Sequence, residues 1–171
     1  MHICVTRFNN VTFHENFNWK KKNNELGCIY GTPIKISENI LPNSQIIVLE
    51  MNNTTNKIEG IGIIKNKIEY INKKKYKIYE DNNYNRFIYK SNLRIDKLDF
   101  NNYEKKVIKV LENLLFKNSN HFKRGHGIQK LPNFISENKI FNFNKFLINL
   151  YEKKFVDIKS KNYKLLISNS Y

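Results

Sequence analysis

The run Gln45-Ile46-Ile47-Val48-Leu49-Glu50-Met51 constrains the fold of this chain more than any other stretch. It is of strand length, β-branched and almost continuously apolar, as a central strand is. Asn52-Asn53-Thr54-Thr55-Asn56 then supplies a turn into a second strand, Lys57-Ile58-Glu59-Gly60-Ile61-Gly62-Ile63-Ile64. Along it Ile58, Gly60 and Gly62 alternate with Glu59, Ile61 and Ile63, so two positions on one face lack side chains. Such glycines permit a barrel bend or the close approach of another backbone.

Further short runs rich in Ile, Val, Tyr and Phe, at residues 3–8, 27–30, 34–36, 76–79, 87–89 and 93–95, predict strands divided by Asn, Lys, Gly and Pro. The segment Asn72-Lys73-Lys74-Lys75 reads as a solvated hairpin tip. Past residue 100 the period changes. Tyr103, Val107, Val110, Leu111, Leu114 and Leu115 fall on one helical stripe, and Asn101 with Glu104 three residues on makes a capping box. A second amphipathic stretch at 144–155 groups Phe146, Leu147, Leu150 and Tyr151. Strands followed by helices predict one α+β domain over residues 1–171. Residues 1–100 are expected to form a small curled β-barrel, and residues 101–171 a mainly helical extension packed on it.

With 40% hydrophobic residues, 12 Phe and 10 Tyr, the chain is too apolar to stay disordered. It contains no alanine, 29 Asn, and 26 Lys against 4 Arg, which points to an A/T-rich genome such as that of a large DNA virus. Part of the formal charge of +15 is therefore codon drift toward lysine, and Arg, Gly, His and Trp stand against that drift. Cys4 and Cys28 lack CxxC spacing and read as buried, reduced thiols. No apolar run approaches the ~18 residues of a membrane helix, and residues 1–7 carry no signal-peptide core. A cytoplasmic or nuclear location away from membranes is expected, with oligomeric state left open.

Chemistry concentrates in two places. His121-Phe122-Lys123-Arg124-Gly125-His126-Gly127 is a flexible cationic loop whose N–H groups and guanidinium suit a phosphate, and an ordinary surface turn is the alternative. A metal site there lacks a third ligand, and an enzyme lacks a carboxylate between Glu112 and Glu137. No catalytic residue, metal ligand or cofactor is assigned. The second concentration is residues 81–96. In a strand, Tyr84, Arg86, Ile88 and Lys90 share one face, a mixture able to stack a base and hold its backbone. Pairing of Arg86 or Arg94 with Asp81 or Asp96 is the competing, purely structural role. Trp19, before Lys20-Lys21-Lys22, is either a recognition aromatic or a lid on the core.

The order of these pieces resembles the PUA-like superfamily of small β-barrels, in particular its EVE, ASCH and YTH branches. The likeness covers residues 1–100: a first strand, a tryptophan followed by lysines, Gly27-Cys28-Ile29-Tyr30-Gly31, a central strand, and the Ile58-Glu59-Gly60-Ile61-Gly62 strand leading to a tyrosine-rich basic hairpin. It implies binding of RNA or a modified nucleobase in an aromatic-lined pocket at the barrel mouth. Trp19 and Tyr30 would then be pocket aromatics, with Arg86 and Lys90 as backbone contacts.

Three functions follow in order. The first is a non-catalytic nucleic-acid-binding module that prefers RNA or single-stranded DNA to duplex, using Trp19, Tyr30, Tyr84, Arg86, Lys90, Arg94, His121, Lys123 and Arg124. The second is a structural or partner-binding viral protein. The third is a phosphodiester- or nucleotide-processing enzyme built on the loop from His121 to His126.

Overall fold

A computed structural model describes residues 1–69, 76–117 and 121–168 of the chain, with side chains to Phe155. Residues 72–75, the expected hairpin tip, lie outside the described residues.

Strand β1 (His2–Phe8) is followed by helix α1 (Asn10–Lys22), β2 (Cys28–Thr32), β3 (Gln45–Asn52) and β4 (Lys57–Lys65). After a 3₁₀ turn come β5 (Phe87–Ser91) and β6 (Leu93–Asp96), then α2 (Asn102–Phe116), a short β7 (Gln129–Lys130), α3 (Asn133–Ser136) and α4 (Phe143–Ser168). The fold is α+β. Its strands make a mixed five-stranded sheet in the order β6-β4-β3-β1-β7 and a separate antiparallel pair, β2-β5. Among the described residues these two sheets do not close into a barrel, in contrast to the expectation from the sequence.

Strand β3 is apolar on both faces because both are covered. Val5, Leu49, Ile61 and Ile95 form one row across the large sheet. They face Val107, Ile108, Leu111 and Leu115 of α2 and Phe143, Leu147 and Leu150 of α4. On the opposite face Cys4, Ile46, Val48 and Ile64 pack against Ile29, Tyr30, Ile88 and Tyr89 of the small sheet. The central sheet is thus held between helices and a second sheet, three layers rather than a barrel with a helical tail. Both cysteines are buried and free.

The capping box of Asn101 and Glu104 is present, with N–H to Oδ1 and N–H to Oε2 distances of 2.9 and 2.8 Å. The buried stripe of α2 is rotated from the expected one: Tyr103 and Val110 are exposed, and Ile108 and Phe116 take the core positions. Two expected strands are absent for a shared reason, which is that side chains replace the ladder. At 34–36, Pro33 interrupts pairing, the Thr32 hydroxyl donates to Ile34 O (2.6 Å), and Ile36 N–H donates to the Tyr89 hydroxyl (3.0 Å). At 76–79, Asn85 Oδ1 accepts from the N–H groups of Ile78 and Tyr79 (2.9 and 3.0 Å), and Asn85 Nδ2 donates to Tyr79 O (2.7 Å). Among the described residues, no helix is long and apolar enough to cross a membrane.

Candidate functional site

Parallel pairing of β1 with β3 brings their carboxyl ends together, at Phe8 and Asn52. Ends of this kind, next to a helix start, are where open α/β sheets leave room for ligands. Asn9 caps α1 there. Its Oδ1 accepts from Thr12 N–H (2.8 Å), and Thr12 Oγ1 accepts from Asn9 N–H (3.0 Å). Asn53 N–H donates to Phe8 O (2.7 Å), tying the turn after β3 to the end of β1.

The cationic loop at 121–127 docks on the same place. Asn53 Nδ2 donates to Lys123 O (2.9 Å) and Arg7 Nε to Phe122 O (2.7 Å). The Arg7 guanidinium also lies over the Phe122 ring, 4.8 Å from its centroid. Gly125 and Gly127 take φ of 124° and 68°, so the loop turns where a side chain would be strained. The facing wall is the tyrosine segment. Tyr79 and Tyr84 meet edge to face at 6.0 Å, and Asn16 Nδ2 donates to the Tyr79 hydroxyl (3.0 Å). Gly31 admits this segment, since a Cβ there would come within 2.2 Å of Tyr84 O.

These walls enclose a cavity of about 200 Å³. Arg7, Lys123 and His126 line it with Thr6, Thr12, Thr32, Asn53, Tyr79 and Tyr84, and no carboxylate is among the lining residues. Burial pulls the Arg7 guanidinium down to about 10, still protonated at neutral pH. Its two terminal nitrogens are buried and have no hydrogen-bond partner among the described residues, and neither has Asn53 Oδ1 or His121 Nδ1.

The nine residues singled out in the sequence separate into those at this cavity and those elsewhere. Tyr84 and Lys123 line it, Arg124 sits exposed between two lining residues, and His121 is half-buried at the base of the same loop. Arg86 is exposed and lies over the Phe87 ring at 5.6 Å. The others are corrected. Tyr30 is 1% exposed and donates its hydroxyl to Glu50 Oε1 (2.8 Å), so its ring packs the core and offers no stacking face. Arg94 is clamped by Glu50 Oε2 and Asp96 Oδ2, both at 2.7 Å; Asp96 lies in the same strand, so the bond that ties β6 to β3 is the one to Glu50. Lys90 is ion-paired with Glu25, and Trp19 packs on Tyr76 at 5.7 Å against the second core. The glycines of β4 serve these side chains rather than a barrel bend. A Cβ on Gly60 would come within 2.5 Å of the Arg94 guanidinium, and one on Gly62 within 1.9 Å of the Tyr30 hydroxyl.

Arg7, Asn53 and Tyr79 were not foreseen as site residues. The available signal was Arg7 itself, one of only 4 arginines in a lysine-drifted chain, placed where an apolar strand meets a capping asparagine. Among the described residues no three His, Cys, Asp or Glu side chains converge as a metal site. Comparison with family models, with curated proteins and with solved structures finds no match to this chain.

Proposed function

We propose that the chain is a non-catalytic nucleic-acid-binding module that takes RNA or single-stranded DNA in preference to duplex. One observation carries the reading: the two segments singled out by their chemistry, 121–127 and 81–96, the latter through Tyr84, meet across one cavity with no carboxylate in its lining. Cations beside an aromatic ring suit single strands, whose bases are free to stack and whose phosphates need neutralising. The same reading takes the two sheets as walls of an opened PUA-like barrel. Its support is that β4 contacts β5 as well as β6, and that the Tyr30–Glu50 hydrogen bond joins the walls. Two buried free thiols fit a reducing compartment, the cytoplasm or nucleus.

The test is binding of labelled single-stranded RNA, single-stranded DNA and duplex DNA at several salt concentrations. Affinity for single strands should fall steeply, by roughly 0.7 in the log–log slope per neutralised phosphate. Arg124→Ala should lower that slope by about one such step, and Tyr84→Ala should cost about 1–3 kcal/mol if a base stacks there. Salt-independent binding, or none at low salt, would remove the proposal.

A further inference from the structure

Rotation of the α2 stripe leaves an aromatic ring outside the core. Tyr103 is 62% exposed, and its ring meets Phe146 of α4 edge to face at 6.2 Å. Phe146 in turn lies 5.8 Å from Phe141, which packs on the buried Phe143 at 4.9 Å. Tyr103, Phe141 and Phe146 line a groove of about 440 Å³ between the starts of α2 and α4. It lies on the helix-covered side of the large sheet and shares no lining residue with the cavity described above. Sites for whole small molecules measure roughly 300–1,000 Å³, so the groove is large enough for one.

The polar lining defines what such a molecule carries. Lys145, Asn149 and Lys153 stand four residues apart on one exposed stripe of α4, about 12 Å from end to end. Neither lysine forms an ion pair among the described residues. Glu104 is the one carboxylate in the lining, and it is engaged: Oε2 accepts from Asn101 N–H (2.8 Å) and pairs with Lys154 (3.6 Å). Asn101 and Asn142 commit their Oδ1 atoms to capping α2 and α4, which leaves their Nδ2 donors without a partner among the described residues. Leu150 is the only aliphatic side chain in the lining, so the groove offers rings, amides and cations rather than the surface an apolar helix seeks. The net charge of +15 opposes a second copy of the chain on this face and favours an anion.

We propose that this groove binds a nucleobase together with its phosphate. The base stacks on Tyr103 and Phe146, the amides of Asn142 and Asn149 meet its edge, and Lys145 and Lys153 neutralise phosphate along α4. Rings beside unpaired cations match a planar group that carries negative charge, and amides match a heterocycle edge that both donates and accepts. The ligand is supplied either by a base within a single strand or by a free nucleotide. The strand as source rests on the nucleic-acid reading above, and the free nucleotide does not.

The experiment measures binding of a labelled single-stranded oligoadenylate dodecamer by anisotropy and of free AMP by calorimetry, each at several salt concentrations. Tyr103→Ala removes an exposed ring and leaves the core in place, so the variant should fold as the parent does. It should weaken strand binding by about fivefold to a hundredfold, the effect of losing one stacked base. Lys145→Gln with Lys153→Gln should lower the log–log salt slope by roughly 0.7 per lysine. Val110→Ala, exposed on α2 but outside the groove, should keep affinity within about twofold. Salt-sensitive strand binding unmoved by Tyr103→Ala and by the lysine pair, with no uptake of AMP, overturns the groove and keeps the nucleic-acid reading at the cavity. AMP binding lost in Tyr103→Ala, with strand binding absent or unmoved, keeps the groove and assigns it to free nucleotides. Binding of neither overturns the proposal and leaves the rings to a protein partner.

Discussion

Replacing Gly62 by alanine tests the junction between the two sheets directly. The added Cβ would lie 1.9 Å from the Tyr30 hydroxyl and 2.8 Å from both Tyr30 Cζ and Cys28 Sγ. Tyr30 has nowhere to retreat, being 1% exposed and hydrogen-bonded to Glu50 at 2.8 Å. Overpacking a well-filled core costs roughly 1–3 kcal/mol. Displacing the tyrosine also strips a donor from a buried carboxylate, worth about 1–3 kcal/mol more. The total of about 2–6 kcal/mol corresponds, at about 2–4 °C per kcal/mol for a chain of this size, to a fall in Tm of about 4–24 °C. The assay is a double-mutant cycle with Tyr30→Phe, followed by denaturant unfolding. Phenylalanine removes the oxygen that the new methyl strikes, so the double variant should be more stable than the sum of the single losses by at least about 1 kcal/mol. Additivity within about 0.5 kcal/mol would show that the methyl and the hydroxyl do not compete for one space, and would refute the reasoning.

Arg94→Met should destabilise by about 3–5 kcal/mol, because it leaves Glu50 buried and uncompensated, whereas Arg94→Met with Glu50→Gln should recover part of the loss in the same melts. Desolvation raises the Asp96 carboxyl, but the Arg94 hydrogen bond and charge outweigh it and leave the carboxyl below its ordinary value of 3.8. Its stabilisation is thus complete above that value and lost as pH falls further, and Asp96→Asn should flatten the acid limb of a stability–pH curve. Burial pushes both the Cys4 and Cys28 thiols up to about 12, so neither should react with a thiol reagent at pH 8 until the chain is unfolded in urea, when both should. Because Trp19 packs on Tyr76 and does not line the cavity, Trp19→Phe should keep nucleic-acid affinity within about twofold, and a large loss would move the site toward α1.

Elements with strong periodicity were legible. β3 follows from its continuous apolar run, β4 from alternation after an Asn-rich turn, and α2 from its capping box. Helix α1 was not, because its sequence is mostly Asn, Lys and Phe with no sustained stripe, and Asn16 is its one buried residue. Its start is nonetheless written in Asn9 and Thr12, and its end in Lys20 to Lys22, which complement the helix dipole. The third layer was illegible for a different reason. Nothing local states that Gly60 and Gly62 face a tyrosine and an arginine from other strands, so the space read as a bend. At the site, charge and aromatic density marked the loop and Tyr84. The sequence could not show that Arg7, at the far end of the chain, would end beneath Phe122, because that contact spans 115 positions.

The placement of β1 sets the chain-entropy cost of each closure. The β3–β4 hairpin closes a four-residue turn, whereas residues 9–44 separate β1 from β3, which makes that closure dearer by about 2 kcal/mol in chain entropy. Pairing of β1 with β7 spans residues 9–128 and adds about 1 kcal/mol more. Closure cost therefore ranks the hairpin lowest, the docking of β1 next and the segment carrying the cationic loop highest. The cavity is thus assembled from the least local contacts in the molecule. Amide exchange around Lys123–Gly127 should accordingly be faster than in β3, whose N–H groups are paired on both sides.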